Sequence, residues 1–234
     1  MITGDANERL QKVRGMFARI SRRYDLLNRL MTFGRDQSWR REAIKRLAIK
    51  SGQTILDAGS GTGDIALEIK SANSKVKVIA ADLTIEMMKI GRSRPGGDGI
   101  DWVVADAQHL PFTDEIFDGV ISGYLLRNVP DVDSALAEQH RVSTVHANMV
   151  SLDTTPPRRN LLYPFIRFYL KVVIPTLGRL IAGDSAAYTY LPETTTHFLS
   201  AEALAEHIAK AGFVDVQFTR RMLGSMAIHW GKKI

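Results

Sequence analysis

Between residues 6 and 32 the apolar positions Val13, Met16, Phe17, Ile20 and Tyr24 recur at spacings of three and four, which predicts a helix. Residues 36–50 predict a second helix, with Trp39, Ala43, Ile44, Leu47 and Ala48 on one face. The period then changes. Thr54-Ile55-Leu56 is a short apolar run ending in Asp57, followed by glycine-rich sequence and a helical stretch, Asp64–Lys70. Val76–Ala81 predicts a second strand ending at Asp82, and Thr84–Arg92 a helix. Residues 93–99 read as a loop, Ile100–Ala105 and Phe117–Ser122 as strands, Asp131–Val142 as a helix, and Met149–Leu152 as a fifth strand. Strand and helix alternate at the spacing of βαβ units, which predicts a parallel sheet with helices on both faces. Ser200 then caps a helix, Ala201–Ala211, that stops at Gly212. Val214–Thr219 and Met226–Trp230 close the chain as two late strands, giving an α/β, Rossmann-like fold with a mostly parallel seven-stranded sheet.

One segment breaks this rhythm. Residues 156–198 contain LLYPFIRFYLKVVIPTLGRLIAG (161–183), where aromatic, aliphatic and basic residues alternate and two prolines interrupt. It reads as a lid over an apolar substrate, a membrane-contacting amphipathic helix, or core helices of an elaborated domain. The expected organisation is a single domain: an N-terminal helical cap (1–50), a binding core (51–155), a helical insertion (156–198) and a C-terminal helix with strands (199–234).

The 234 residues carry no cysteine, which excludes disulfides, thiolate metal sites and a cysteine nucleophile. A net charge of +6, concentrated around Arg19–Arg23, Arg35–Arg46 and Arg158–Arg159, suits an anionic surface or simply a solvated basic face. No run of 18 apolar residues and no leader-like stretch in Met1–Arg14 is visible, so a cytoplasmic location is expected. The six histidines are scattered and no metal-ligand spacing occurs, so no metal is expected.

The densest chemical signal is ILDAGSGTGD, residues 55–64. Asp57 ends a strand, and Gly59, Gly61 and Gly63 follow as GxGxG rather than the GxGxxG of a dinucleotide site. A pyrophosphate needs helix N-terminal amides; S-adenosylmethionine (SAM) has no phosphate and needs close backbone and acidic neighbours. Asp82 can accept both ribose hydroxyls, and Asp106 with the amide of Ala107 can meet the adenine. These residues lie where the strands end, the usual ligand edge of such sheets. A nicotinamide-dependent enzyme is the rival reading of this half.

The chain resembles the menaquinone/ubiquinone C-methyltransferase family. The resemblance is carried by Phe17-Ala-Arg-Ile-Ser-Arg-Arg-Tyr24-Asp25-Leu-Leu-Asn28, Trp39-Arg40, the glycine run, Ala81-Asp82, Ala105-Asp106-Ala107 and Leu110-Pro111-Phe112. It is carried further by Leu126-Arg127-Asn128-Val129, Leu180-Ile-Ala-Gly-Asp184, Tyr190-Leu-Pro-Glu193 and His229-Trp-Gly231. It implies SAM as cofactor and transfer of its methyl group to a ring carbon of a polyprenyl quinol, with demethylmenaquinol favoured. It implies that Thr62, Asp82, Asp106 and Ala107 contact SAM, that Arg127 and Asn128 lie near the quinol as the catalytic pair, and that Tyr24 walls the pocket. Peripheral contact at the inner face of the cell membrane and a homodimer are compatible with it, and no nucleic acid is expected. Other readings are methylation of another lipid-like or phenolic small molecule, RNA methylation, and a SAM-binding scaffold without turnover.

Two departures from the family pattern stand out. Gly123 occupies the fourth-strand position where the family has serine, leaving only a backbone contact. Ser143-Thr-Val-His-Ala-Asn148 replaces a Lys-Pro-Gly-Gly turn, which predicts a strained or rebuilt turn with Asn148 as the residue best suited to positive φ.

Overall fold

The computed structural model describes residues 6–157, 161, 163–176, 190 and 194–234. The Arg158–Arg159 pair, the Leu180–Asp184 motif and residues 191–193 of the Tyr190–Glu193 motif lie outside them. The elements follow the predicted order: α1 (Ala6–Met31), α2 (Asp36–Leu47), β1 (Thr54–Ala58), α3 (Asp64–Ala72), β2 (Lys77–Asp82), α4 (Ile85–Ser93), β3 (Asp101–Val104) and β4 (Phe117–Gly123). Then come α5 (Val132–Val142), β5 (Ser143–Thr154), α6 (Tyr163–Phe168), α7 (Ala201–Lys210), β6 (Val214–Arg221) and β7 (Met226–Lys232). A π-helical turn, Tyr169–Val173, continues α6.

The seven strands form one sheet in the order β3-β2-β1-β4-β5-β7-β6. The first five pair in parallel, and β7 runs antiparallel to both β5 and β6. β1 is buried along Ile55–Ala58, because helices cover both faces of a parallel sheet. β6 sits at the edge and alternates half-buried and exposed positions at its start. The strand order reverses between β1 and β4, and a crevice opens at the carboxyl ends of the strands there.

Local signals set the ends of several elements. Asp131 accepts from the amides of Asp133 and Ser134 at the start of α5, and Ser200 accepts from Ala203 at the start of α7. Such caps contribute about 1 kcal/mol each. Gly212 follows α7 at φ 105°, the left-handed stop that the sequence predicts.

α1 buries Met16, Phe17, Ile20, Leu27 and Met31 against Met87 of α4 and against Ile166, Leu170 and Ile174. The apolar stripe read from the sequence therefore faces two different elements and ties the helix after residue 162 to the cofactor half of the molecule.

The Ser143–Asn148 segment is rebuilt as a bulge within β5. Phe117 pairs with Ser143 and Gly119 with Asn148, so the residues between them arch out of the ladder. The positive φ falls on His146, at 68°, and not on Asn148. Histidine shares with asparagine a raised tolerance for this region. Asn148 instead donates its side-chain amide to the Leu47 carbonyl at the end of α2, 3.1 Å away. The buried ammonium of Lys233 donates to the carbonyls of His140 and Ser143 at 3.1 and 2.9 Å, satisfying the end of α5 where no glycine does so. We predict that His146→Gly leaves thermal stability unchanged or raises it, whereas His146→Ile lowers it by more than about 1 kcal/mol, because a β-branched residue at that φ is strained. Denaturant unfolding of the two variants checks this.

Candidate active site

The glycines act first on the backbone. Gly59, Gly61 and Gly63 hold φ of 69°, 55° and 77°, so the chain leaving β1 doubles back over the strand ends. The amides of Gly59 and Ser60 donate to the Ala81 carbonyl at 2.8 and 3.0 Å. The Gly61 amide donates to one Asp82 oxygen at 2.8 Å, and the Thr84 amide to the other at 2.7 Å. Asp82 thus joins the glycine turn to the start of α4, and burial raises its pKa against those bonds.

Asp57 lies beneath this turn. One oxygen accepts the Ala66 amide at 3.1 Å; the other, Oδ1, is buried without a partner. Burial pushes the carboxyl up to about 7. A partly satisfied buried carboxylate is an unfavourable arrangement unless something positive completes it.

α1 closes over the turn. The Thr62 hydroxyl donates to Asp25 at 2.8 Å, and Arg94 lies 2.6 Å from Asp64 and 3.5 Å from Asp25. Burial and the nearby Asp64 charge raise the Asp25 pKa. Arg40 of α2 pairs with Asp36 and, at 3.0 Å, with Asp64. Phe17 and Tyr24 meet edge to face, their centroids 5.7 Å apart, and both face the crevice. Desolvation raises the Tyr24 pKa despite the Arg127 and Arg40 charges.

The end of β4 supplies the far wall. Gly123 is followed by Tyr124 at φ 60°, whose amide donates to the Leu152 carbonyl at 2.7 Å. Arg127 is 5% exposed and pairs with Asp153 at 2.6 Å. Burial works against its charge, and Asp153 together with Tyr24 and Tyr124 outweighs that cost, so its pKa is raised. The Asn128 amide nitrogen donates to the Tyr124 carbonyl at 2.7 Å, and its oxygen accepts from the Tyr190 hydroxyl at 3.1 Å.

Ten of the sequence-predicted site residues, Asp57, Gly59, Gly61, Thr62, Asp82, Asp106, Ala107, Gly123, Tyr24 and Asn128, line one cleft of about 980 Å³. Two do not. A Cβ on Gly63 would lie 2.4 Å from the Trp102 ring, so this glycine serves packing behind the turn. Arg127 lines a second, smaller cavity, together with Tyr124, Thr154, Leu170 and Ile174. Arg40, Asp25 and Tyr124 were missed as site residues. The first two were visible as acidic and basic positions on the cap helices, with no local signal for where those helices dock. Tyr124 reads as an ordinary core aromatic at a strand end. Among the described residues no cluster could hold a metal ion.

Residues 5–233 match the model of the ubiE/COQ5 methyltransferase family. The chain belongs to that family. It is 47% identical over 221 residues to the ubiquinone/menaquinone biosynthesis C-methyltransferase UbiE of Desulfotalea psychrophila, spanning 94% of this chain and 90% of that protein. It is 40% identical to the demethylmenaquinone methyltransferase of Thermus thermophilus, across 93% of this chain and all of that one. Its fold is shared with a solved SAM-dependent methyltransferase of Thermotoga maritima at TM-score 0.66 and 20% identity, covering 95% of this chain and 100% of that one. The protein is therefore a SAM-dependent methyltransferase.

The site fits SAM. The unpartnered Asp57 oxygen suits a cation such as the ammonium of the methionyl group, and the cleft runs from there past Asp82 to Asp106 and Ala107. Asp57 must be ionised to pair with a cation, and its folded-state pKa is raised, so protonation competes with binding. SAM affinity is expected to fall as the pH is lowered through about 7. Asp57→Asn should weaken SAM binding about tenfold or more and remove this pH dependence, as read by calorimetry. The same change should raise the melting temperature of the ligand-free protein at neutral pH and above. The native state binds the Asp57 proton more tightly than the unfolded chain, so wild-type stability declines as the pH rises toward about 7.

Proposed function

We propose that this enzyme transfers the SAM methyl group to a ring carbon of a polyprenyl hydroquinone, with demethylmenaquinol the preferred acceptor. The observation that carries this is the full-length similarity to relatives named for that chemistry, at up to 47% identity. The cleft agrees with it: beside the acidic cofactor end, the wall is built from Val13, Phe17, Met87, Leu125 and Val129, which suits an apolar ring system.

SAM supplies a methyl group on a positive sulfonium; the ring carbon gains it as the carbon–sulfur bond breaks and a ring hydroxyl gives up its proton, and the same ring carbon then loses its hydrogen as a proton while the hydroxyl is restored, a net release of one proton. The protein holds carbon, methyl and sulfur in line and excludes water, and positioning supplies much of the acceleration. In this reading Asp57, Gly59, Gly61, Thr62, Asp82, Asp106, Ala107 and Gly123 hold SAM. The Gly61 amide and the Thr62 hydroxyl are already donated to Asp82 and Asp25, so these two residues meet SAM through their other atoms. Tyr24 walls the acceptor, and Asn128 orients a hydroxyl at its edge. Arginine does not act as a base, so Arg127, paired with Asp153, steadies the developing phenolate through an N–H of its planar fork.

The pairing of Arg127 with Asp153 shapes the test. Removing one partner of a buried pair costs about 3–5 kcal/mol, so Arg127→Ala would confound folding with catalysis. Arg127→Lys keeps the charge and loses the planar fork. It should lower kcat about tenfold or more at unchanged SAM affinity. A loss of SAM binding with unchanged turnover at saturation would remove Arg127 from the reaction. The acceptor itself is tested by labelled-methyl transfer to reduced demethylmenaquinol and to the demethylated benzoquinol in detergent. Faster labelling of the naphthoquinol is expected; no transfer to either refutes the reading.

An acceptor with a polyprenyl tail resides in a bilayer, and the segment after residue 160 is suited to reach one. Leu161, Phe165, Phe168 and Val172 are exposed, with Arg167 and Lys171 between them. Phe33 at the end of α1 is 77% exposed and stacks on Tyr169 at 5.8 Å, extending the same face. We place peripheral contact with the inner face of the cell membrane here. Among the described residues no helix is long and apolar enough to cross a membrane. Phe165→Ser with Phe168→Ser should reduce co-sedimentation with anionic vesicles several-fold while leaving turnover on a short-chain quinol in detergent intact. Equal sedimentation of wild type and variant would sink this placement.

A further inference from the structure

Tyr124 belongs to both cavities. Its phenolic oxygen is buried and has no hydrogen-bond partner. Two guanidiniums flank its ring, Arg40 at 5.7 Å and Arg127 at 5.1 Å from the centroid. The orphan oxygen is not isolated. Arg127 Nε and Thr154 Oγ1 are also buried without partners, and both residues line the second cavity with Tyr124. The rest of that cavity includes Met31, Leu170, Ile174 and Met226. A largely apolar chamber that shares Tyr124 with the cofactor cleft, and whose lining side chains carry unsatisfied polar atoms, can receive the hydroxyl-bearing edge of an apolar ring held in that cleft.

We propose that the Tyr124 hydroxyl is a catalytic hydrogen-bond donor to a ring hydroxyl of the methyl acceptor, with Thr154 Oγ1 and Arg127 Nε completing the polar end of the second cavity. This builds on the reading of the acceptor as a hydroxylated ring. A phenol held neutral donates a hydrogen bond, and its bond strengthens as the acceptor oxygen gains negative charge. Burial keeps Tyr124 protonated far above neutrality, with Arg40 and Arg127 acting in the opposite sense. The charged and titratable groups facing it are Arg40 and Asp36 from α2, Tyr24 from α1, and Arg127 with its partner Asp153. Both guanidiniums remain cationic over the working range, so the pH response of the bound acceptor reports on its own hydroxyl.

Tyr124→Phe removes the oxygen and keeps the ring between its two arginines. Because that oxygen is unsatisfied, the variant should melt at or above the wild-type temperature. The probe is 4-nitrophenol, titrated by absorbance against protein saturated with S-adenosylhomocysteine, so the readout does not depend on turnover. Wild type should bind it and lower its ionisation pH. Tyr124→Phe should bind the anion about tenfold more weakly and ionise it about one pH unit higher. In methyl transfer the same variant should lose kcat about tenfold or more at constant SAM affinity, with the acidic limb of the kcat profile moved to higher pH. Thr154→Val should move both readouts in the same direction by less. Failure of wild type to bind 4-nitrophenol, or a Tyr124→Phe variant with unchanged affinity and unchanged ionisation, overturns the proposal. If neither quinol is methylated yet the nitrophenol shift depends on Tyr124, only the identity of the acceptor is wrong.

Discussion

The turn after β1 governs the rest of the structure. Three residues in the left-handed region, at Gly59, Gly61 and Gly63, bring the backbone back over the sheet edge so that its amides point at Ala81 and Asp82. With Cβ atoms at those positions the turn that carries the Gly61–Asp82 bond would be strained at each. That bond does more than close the turn, since the same carboxylate starts α4 through Thr84. One residue on, Thr62 reaches Asp25 and so fixes where α1 crosses the cleft. Phe17 and Tyr24 arrive at the site as a consequence.

This closure concentrates negative charge. Asp57, Asp82, Asp64 and Asp25 all surround one turn, and after burial the charges of Asp82 and Asp64 push the Asp57 pKa up further. Arg40 and Arg94 offset the outer two through direct ion pairs. The inner pair makes no direct ion pair among the described residues and leans mainly on backbone amides, which leaves Asp57 with an unused oxygen and a pKa raised to about 7. The protein therefore keeps a cation-shaped deficit at its cofactor end. The deficit destabilises the ligand-free fold and favours a positively charged ligand over a nucleotide, whose phosphates would be repelled. GxGxG with acidic strand ends was read from sequence as a SAM signal, and this charge balance is its physical content.

Legibility followed the range of the interaction. Helix stripes, strand runs, caps and the glycine spacing are local, and most appear in the structure within a few residues of the predicted bounds; β5 departs from this, running Ser143–Thr154 where Met149–Leu152 is predicted. The Ser143–Asn148 replacement was legible as a disturbance but not in its outcome. His146 rather than Asn148 takes the positive φ, because Asn148 is needed across the molecule at Leu47 and Lys233 arrives from the far end of the chain to cap α5. Arg127 was placed near the acceptor from its motif, but its partner Asp153 comes from β5. Only the parallel register that sets Gly123 beside Leu152 brings that carboxylate to it, and no local pattern encodes a parallel register.

The Arg127–Asp153 pair also explains why the acceptor end differs in kind from the cofactor end. A lone guanidinium there would bind any anion; paired, it is close to neutral and retains one unused N–H at Nε. Much of the surrounding wall is apolar, and further unsatisfied atoms belong to Asn28, Tyr124 and Thr154. The cofactor end is thus negative and suited to a cation, whereas the acceptor end is neutral overall and supplies hydrogen-bond donors directed at an oxygen that becomes negative. In the proposed reading the negative side of Tyr124 binds the sulfonium and the donor side stabilises the phenolate formed as the ring hydroxyl loses its proton, so the two charges that methyl transfer neutralises are brought together from opposite sides.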